Sequence, residues 1–481
     1  MLVTLLGYAP DSDPTVLGVL TSCSGVVPSL RGMKGAPSPV NTSLATLGAT
    51  CQGAVLVTLL DGTSRLFAGT PTDIKEAGAS TWASVGWTTY ATAQTSKWRF
   101  AQQGNATFAV NDANTIQASV SSGNFSTIAG APVAALVEVV GEFVFVFDTT
   151  VASNQWHCCA LGDYLTWSPS IASQSANGAL SDTPGGITGA KRFGDTLMVF
   201  KKNAVYRGRY VGPPNIWEFD PYPGEAGALS QEVIVNIGTE EAPRLMFLGE
   251  RGFYLYDGTR PVPVGVGQVN EAVANSILQS RSYACNSLHD KANSRVYFYY
   301  PVGDSVFPDH CVVYNYRTNQ WGVDDRVVTG TTMYIQAGIT YAGLGGQYAR
   351  YDNLPNVSYA MAFLGASLQS PAIINTSNQL QTLTGASGAT GFTTGDIGTD
   401  DFTTVVTRIT PRFLTQPASA SLTNYSRMNM GDALEYGSVQ GWVNGNFDFL
   451  KDAHWHRLQW DLVGPWEMAV FSADYEEAGL E

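Results

Sequence analysis

Residues that could perform acid–base, nucleophilic or metal chemistry are few in this chain and poorly grouped. There is no G-x-S-x-G nucleophile motif, no H-E-x-x-H helix and no G-x-x-x-x-G-K-[ST] phosphate loop. His454 and His456 alternate along one predicted strand and could share a metal, but no acidic or Cys partner lies beside them. His157 next to Cys158 and Cys159 also lacks a second ligand pair. We therefore predict no catalytic centre, no metal and no cofactor, and a protein that is not an enzyme.

The acidic and glycine motifs point the same way. Asp11-Ser12-Asp13 resembles a fragment of a calcium loop, but the remaining ligands are missing, so a turn is expected there. Asp324-Asp325 and Asp400-Asp401 fall in predicted turns, where carboxylates need only solvent. The stretch Gly78–Trp82 comes nearest to the S-x-D-x-G-x-T-W box of sialidases, but its glycine is one place off and the Asp is absent. These departures argue against a sialidase.

The composition predicts an all-β protein. The 481 residues are 44% apolar and only 14% charged, with 50 Gly and 23 Pro. Charged residues are too scarce to coat the exposed faces of many helices, whereas Thr, Val, Tyr and Phe suit strands and Gly and Pro suit turns. The formal net charge is −14 and the 26 Lys and Arg are scattered. Such a surface excludes a basic DNA-binding face and suits either an ordinary acidic exterior or a surface that lies near DNA without holding it.

The cysteines and the apolar runs bear on location. The six cysteines include no C-x-x-C pair, which predicts buried thiols in a reducing compartment. The N-terminus has no basic region and soon meets Asp11 and Asp13, so a signal peptide is not expected. The longest apolar run, Val133–Phe147, carries Glu138 and Glu142. We expect no membrane insertion.

Repeated hairpins predict a β-propeller. The clearest has the aromatic strands Arg295–Tyr300 and Cys311–Tyr316, with turn residues between them and Trp321 behind. Weaker copies recur upstream, and one equivalent aromatic residue can be chosen in each: Phe67, Phe108, Phe145, Phe200, Tyr254 and Tyr299. Their spacing suits four-stranded blades of roughly 40–50 residues. A set of unrelated hairpins in a sandwich or in two small β domains is the alternative.

The predicted domains follow from this repeat. Residues 1–50, interrupted by prolines, are expected to be an extended N-terminal arm, and residues 51–365 a propeller-like core of about six or seven blades. A weak last hairpin is expected at Met333–Tyr351, and one short helix within Val266–Leu278. Residues 366–402 are expected to be a Gly-rich loop or linker, and residues 403–481 a C-terminal β domain.

Several stretches together resemble one family. They are Gly7–Thr15 and Pro28–Pro37 near the N-terminus, Leu245–Gly258 with Pro263–Gly265, Val313–Tyr316 with Trp321, and His454–Arg457. In style, length and order the chain resembles the tail nozzle, or packaged-DNA stabilisation, proteins of short-tailed bacteriophages. The resemblance spans nearly the whole chain, and no single motif is diagnostic.

The resemblance implies a structural virion protein without catalytic residues. A ring of subunits, usually six, would extend the tail channel below the portal and adaptor proteins, retain the packaged DNA and release it on infection. Expected partners are further copies of the chain, the adaptor or head-completion protein, tail fibre, tailspike or needle proteins, and double-stranded DNA that passes without specific binding. The protein would be assembled in the host cytoplasm and reside in the virion tail. Expected inter-subunit or adaptor contacts are Asp11, Asp13, Pro14, Arg31, Met33, Lys34, Trp455 and Arg457.

Two other functions remain open. The first is a β-propeller receptor- or carbohydrate-binding tail component, in which the abundant Trp and Tyr would stack on sugars and a trimer would be expected. The second is a propeller enzyme with an unrecognised site. An Asp- and His-rich central channel would support an enzyme, and five histidines are few for one.

Overall fold

The computed structural model of this chain describes residues 1–239, 241–335 and 369–480. These residues form forty strands, the helix α1 (Asn270–Ser276) and two short 3₁₀ segments, Gln231–Val233 and Gln279–Ala284. The helix lies within the predicted stretch Val266–Leu278. No helix in the described ranges has the length and apolarity needed to cross a bilayer. The strands build a seven-bladed β-propeller and a β-sandwich.

The N-terminal segment is folded into both units. Its prolines and glycines break it into six short strands, which pair mainly with strands far away in the sequence. They are β1 (Leu2–Thr4), β2 (Gly7–Tyr8), β3 (Val19–Ser24), β4 (Val26–Pro28), β5 (Met33–Gly35) and β6 (Ser38–Asn41).

The first four blades follow one another along the chain. Each is a four-stranded antiparallel sheet whose first strand is innermost. Blade one is β7 (Gly53–Thr58), β8 (Ser64–Gly69), β9 (Ile74–Ala77) and β10 (Trp82–Ser84). Blade two is β11 (Arg99–Gln103), β12 (Ala106–Asn111), β13 (Asn114–Val120) and β14 (Ser126–Thr127). Blade three is β15 (Ala134–Val140), β16 (Phe143–Thr149), β17 (Gln155–Cys158) and β18 (Ala176–Ala179), and blade four is β19 (Ile187–Phe193), β20 (Thr196–Lys201), β21 (Val205–Gly212) and β22 (Ile216–Pro221).

The remaining blades close the ring. Blade five is β23 (Ile234–Asn236), β24 (Leu245–Gly249), β25 (Gly252–Tyr256) and β26 (Val262–Val264), and blade six is β27 (Asn286–Asp290), β28 (Arg295–Tyr300), β29 (His310–Asn315) and β30 (Gln320–Val323). Blade seven combines β31 (Gly330–Ile335), β32 (Gln369–Ile374) and β33 (Leu380–Gly385) with the N-terminal strand β6 as its outermost strand. Because β31 of blade seven lies against β7 of blade one, the last blade contacts the first and the ring of blades is closed.

The second strand of each blade explains why the repeat is visible in the sequence. Neighbouring blades cover both faces of this strand, so apolar residues run continuously along it, as in Phe143–Phe147. Five of the six aromatic residues that we aligned lie on second strands; Tyr254 lies on the third strand of blade five. Its true counterpart is Phe247. All the residues of the corrected set are fully buried: Phe67, Phe108, Phe145, Phe200, Phe247 and Tyr299.

The C-terminal strands form a sandwich with the N-terminal ones. They are β34 (Ala389–Gly398), β35 (Phe402–Thr415), β36 (Ser419–Arg427), β37 (Glu435–Gly441), β38 (Phe447–Ala453), β39 (Trp455–Val463) and β40 (Glu467–Leu480). One sheet runs β2-β3-β34-β39-β36-β37, and the other runs β5-β40-β35-β38 with β1 beside β40. Trp460 lies between them, 5.4 Å from the ring centres of Phe447 and Phe471. The second sheet continues through β4 into blade six, which joins the sandwich to the propeller.

The predicted linker is wrong, and the last predicted hairpin lies partly outside the described ranges. Residues 369–398 form strands, not the Gly-rich loop or linker expected over 366–402. We interpreted the glycines of this stretch as loop formers, but they let neighbouring backbone pack closely against a strand. A Cβ on Gly395 would lie 2.1 Å from the Pro14 carbonyl oxygen, so the N-terminal segment fits there only against glycine. Of the weak hairpin predicted at Met333–Tyr351, all but the first residues fall outside the described ranges.

Candidate functional site

Two of the first three predicted contact residues, Asp11 and Pro14, bind the N-terminal segment to distant parts of the chain, and Asp13 shapes a turn within it. Asp11 accepts hydrogen bonds from the backbone N–H groups of Glu271 and Ala272 at 2.7 and 2.9 Å, so its carboxylate caps the start of α1. Asp13 accepts from the backbone and hydroxyl of Thr15 at 2.9 and 2.8 Å, which makes the expected turn and lowers the pKa of Asp13. The Pro14 carbonyl accepts from the Asp396 backbone at 2.6 Å.

The other predicted residues are also engaged within the chain. Met33 is fully buried in β5, where it pairs with Met468, and Lys34 pairs with Glu467. Burial lowers the pKa of Lys34, and the nearby Arg295 adds to this effect. Arg31 forms an exposed ion pair with Glu467 at 3.0 Å.

Trp455 and Arg457 lie on β39 inside the sandwich. The Trp455 indole donates to Asp400 at 2.8 Å. Arg457 binds Asp396 with both Nε and a terminal nitrogen, at 3.0 and 2.7 Å. The eight predicted residues thus all have contacts within one chain, and their contact with a second subunit stays a prediction.

A buried carboxylate holds three sandwich strands together. Asp396 of β34 is fully buried and accepts from Arg427 of β36 at 2.6 Å as well as from Arg457 of β39. Charge-assisted bonds of this kind are short and directional, so they fix the register where the N-terminal segment crosses at Pro14. Two arginines also bind the N-terminal segment: Arg295 of blade six donates to the Pro28 carbonyl and Arg326, just after that blade, donates to the Pro37 carbonyl, at 2.6 Å each.

The axis of the propeller is crossed by an ion pair. Arg99 at the start of blade two meets Glu232, just before blade five, with Nε and Oε1 at 2.7 Å. Burial favours neutral Glu232, but the charge and hydrogen bonds of Arg99 hold the pKa of this carboxyl below its ordinary value. The adjacent Gln231 accepts from the Ala190 backbone at 2.7 Å and donates to the Val137 carbonyl at 3.3 Å. The 3₁₀ segment Gln231–Val233 therefore ties together blades on opposite sides of the axis.

A cavity of about 440 Å³ opens on one face of the propeller. Blades one, two, six and seven meet there, at the loops that lead into their innermost strands. Two cations, Lys97 and Arg281, line it together with threonines, glutamines and the aromatic side chains of Tyr283 and Phe307. We name this space the face cavity.

His456, His157 and the cysteines have contacts or burial within the fold. His456 is buried in the sandwich, with Nδ1 3.2 Å from the Asn424 amide and Nε2 3.2 Å from the Thr404 carbonyl oxygen. His157 contacts the Trp167 carbonyl at 2.8 Å. The described ranges contain no group of three or more His, Cys, Asp or Glu that could hold a metal. All six cysteines are free, and burial raises the pKa of each thiol.

Our sequence reasoning missed the axial ion pair and the face cavity. Lys97 and Arg99 are isolated charges in a polar stretch, and Glu232 lies 133 positions beyond Arg99 in the sequence. The available signal was the charge of Arg99 near the start of a predicted blade, because first strands line the axis of a propeller. The sequence did not fix the number of blades, so the charge of Arg99 alone did not show which residue across the axis pairs with it.

Comparison with known proteins gives matches of low identity among solved structures. No family model matches this chain, and no curated protein matches it. Among solved structures, a chain of a mitotic checkpoint complex is 8% identical with a TM-score of 0.41, over 72% of this chain and 94% of that chain. YCF48 bound to D1 peptide is 12% identical with a TM-score of 0.36, over 74% and 97%. BBS1N in complex with ARL6DN is 13% identical with a TM-score of 0.41, over 71% and 95%. At such identities and scores these structures say nothing about function.

Proposed function

We propose that this protein is a structural subunit of a ring, the tail nozzle that the sequence resemblance implies, and that its sandwich makes the contacts between subunits. The observation that carries this proposal is an unpaired strand edge at the outer end of the sandwich. Strand β37 ends its sheet, and no strand in the described ranges pairs with its free edge. An unprotected edge strand offers backbone hydrogen bonds to another chain.

Exposed apolar side chains accompany this edge. Tyr436 on β37 is 68% exposed and Leu450 on the adjoining β38 is 87% exposed, and Val439 and Val443 are exposed beside them. Apolar side chains clustered on a strand edge are typical of surfaces that bind another protein. We name Tyr436, Val439, Val443 and Leu450 the sandwich edge. In a closed ring it would contact a different surface of the next subunit, because ring contacts are heterologous.

The propeller axis fits this arrangement. The Arg99–Glu232 pair and Gln231 cross it, so the route for DNA in a nozzle would lie between subunits and not through a propeller. The net charge of −14 supports passage of DNA without retention, because acidic walls repel phosphate. Neither observation depends on the sandwich edge, and both agree with the ring.

The ring is tested by the mass of the protein in solution and by two-dimensional class averages of its particles. Wild type is expected to form closed rings. Leu450→Lys and Val439→Lys should dissociate them, because each would bury an unpaired ammonium in the contact. Leu60→Lys is the matched control, since Leu60 is 80% exposed on the β7–β8 turn of blade one. Rings that persist unchanged in both edge variants would exclude the sandwich edge as the contact.

A receptor- or carbohydrate-binding tail component is the second candidate. The face cavity favours it, because propeller ligands commonly occupy such a concave site and the cavity has polar and aromatic walls. This function predicts a trimer that binds glycans. A glycan array with wild type and Lys97→Gln measures it, and wild type that binds no glycan on the array would contradict it.

A further inference from the structure

The lining of the face cavity is positively charged in an acidic protein. The chain has 40 Asp and Glu against 26 Lys and Arg. Among the described residues that line the cavity, Lys97 and Arg281 are the only charged ones, and no carboxylate is present. Opposite charges usually intermingle on protein surfaces, so a concave wall with cations alone suits an anion.

Lys97 has no bonding partner among the described residues. It is half-buried beside the axis, and within the described part of the chain its ammonium makes no hydrogen bond and no ion pair. Glu232 is the nearby acid, but its carboxylate is bound by Arg99 at 2.7 Å. Burial lowers the pKa of Lys97, and the charge of Glu232 opposes only part of this effect. An unpaired ammonium in such a place is costly, and a bound anion would remove that cost.

Arg281 faces the same space with unused donors. One terminal nitrogen donates to the Asp304 carbonyl at 2.7 Å, which anchors the side chain at one end. It forms no ion pair within the described ranges. A guanidinium has five N–H donors in a planar fork, so those left over can bind an oxyanion.

The remaining walls match a polyol more closely than a bare inorganic ion. Thr50, Gln94 and Thr95 supply hydroxyl and amide groups, while Tyr283 and Phe307 supply flat apolar surface. The rim is pre-organised, because Gln52 donates to the Ala93 carbonyl at 2.7 Å and accepts from Thr92 at 2.8 Å. A volume of about 440 Å³ accepts one or two sugar rings more readily than a long chain.

We propose that the face cavity binds a small anionic polyol, a carboxylated or phosphorylated sugar, with Lys97 and Arg281 on the anionic group. The hydroxyl and amide groups bind the sugar hydroxyls, and Tyr283 and Phe307 cover an apolar face of the ring. The site does not depend on ring assembly, since every residue in it comes from one propeller. If the second candidate function is correct, this proposal gives the class of its ligand. The same site can also exist in a nozzle subunit.

Isothermal titration of the full chain tests the site with four charged probes: glucuronate, galacturonate, N-acetylneuraminate and glucose 6-phosphate. Glucose is the neutral control. At least one charged sugar is expected to bind at least tenfold more tightly than glucose, because charge-assisted hydrogen bonds are the stronger kind. Preference for the carboxylated or the phosphorylated probes identifies the source of the anionic group.

Two variants assign that binding to the cavity. Lys97→Gln and Arg281→Gln are each expected to weaken it about tenfold or more, whereas Lys202→Gln, at the exposed pair with Glu250 on another part of the propeller, should leave it unchanged. Arg281 lies on the surface, so Arg281→Gln still decides the question if Lys97→Gln unfolds. No binding of any charged probe, equal binding of glucose, or wild-type affinity in Arg281→Gln would overturn the proposal. Ring formation is measured separately, so the two failures are distinguishable.

Discussion

Replacing Asp396 by Asn should loosen the sandwich and leave the propeller intact. The carboxylate is fully buried and receives three hydrogen bonds from Arg427 and Arg457, at 2.6 to 3.0 Å. An amide of the same size has one acceptor oxygen, and its NH₂ group would face guanidinium donors. Removing one partner from a buried ion pair costs about 3–5 kcal/mol. For a unit of this size, a loss of about 3 kcal/mol lowers the melting temperature by roughly 6–12 °C.

Differential scanning calorimetry measures the shift, and hydrogen exchange locates it. Peptides from β34, β36 and β39 should exchange faster in Asp396→Asn, whereas those from blades two to four should not change. The control is Asp448→Asn, which removes the exposed Arg408–Asp448 pair in the same sandwich and should leave the melting temperature unchanged. If the two variants melt alike, the buried cluster does not stabilise the sandwich and our reasoning about it is refuted.

Three further predictions concern the propeller and the thiols. Burial lowers the pKa of His289 to about 4, although the charge of the adjacent Asp290 opposes this shift. Between pH 4 and the ordinary pKa near 6.5, His289 therefore binds a proton in the unfolded chain but not in the folded chain. Stability should fall as the pH drops through this window, by about 2–3 kcal/mol at pH 4.5, and urea unfolding should show a smaller loss in His289→Gln. Glu232→Gln leaves Arg99 unpaired and should cost about 3 kcal/mol by the same assay, whereas Arg209→Gln at an exposed pair should cost little. A thiol-reactive aromatic disulfide should modify the five buried cysteines slowly in the native protein and all six cysteines in denaturant; rapid reaction of more than one thiol in the native protein would contradict this burial.

The propeller could be predicted because its signal is local. Each blade holds a hairpin with a tight turn and an apolar second strand, and both features lie within about twenty residues, as in blade three. The position of Tyr254 was misassigned because the third strand of blade five is more aromatic than the second. Periodicity finds strands but does not number them within a sheet.

The pairing of the N-terminal strands with distant strands could not be predicted from local sequence. Blade seven joins Ser38–Asn41 to strands that begin at residue 330, and the sandwich joins β1, β2, β3 and β5 to strands beyond residue 388. We treated residues 1–50 as a separate arm because nothing local shows where such short strands pair. The glycines of β34 were counted as loop formers, although Gly395 is needed for contact with Pro14.

The site residues illustrate the same limit. Arg99 and Glu232 are 133 positions apart, and only the closed ring of blades brings them together. Asp11, Arg31, Lys34 and Arg457 were predicted to contact another subunit or an adaptor; the structure shows contacts of these residues within the chain, and the contact with another subunit stays a prediction. Contacts between subunits are better sought at the sandwich edge, where exposed apolar side chains have no covering element in the described ranges.

The most direct test of the proposed ring is the rotational symmetry of the purified full-length protein. Two-dimensional class averages, with particle mass measured on the same sample at high micromolar concentration, give the subunit number. We expect a closed ring, sixfold by the family resemblance, with an open channel between subunits and the sandwich edge at each contact. A trimer, or a protein that stays monomeric at that concentration, would contradict the ring.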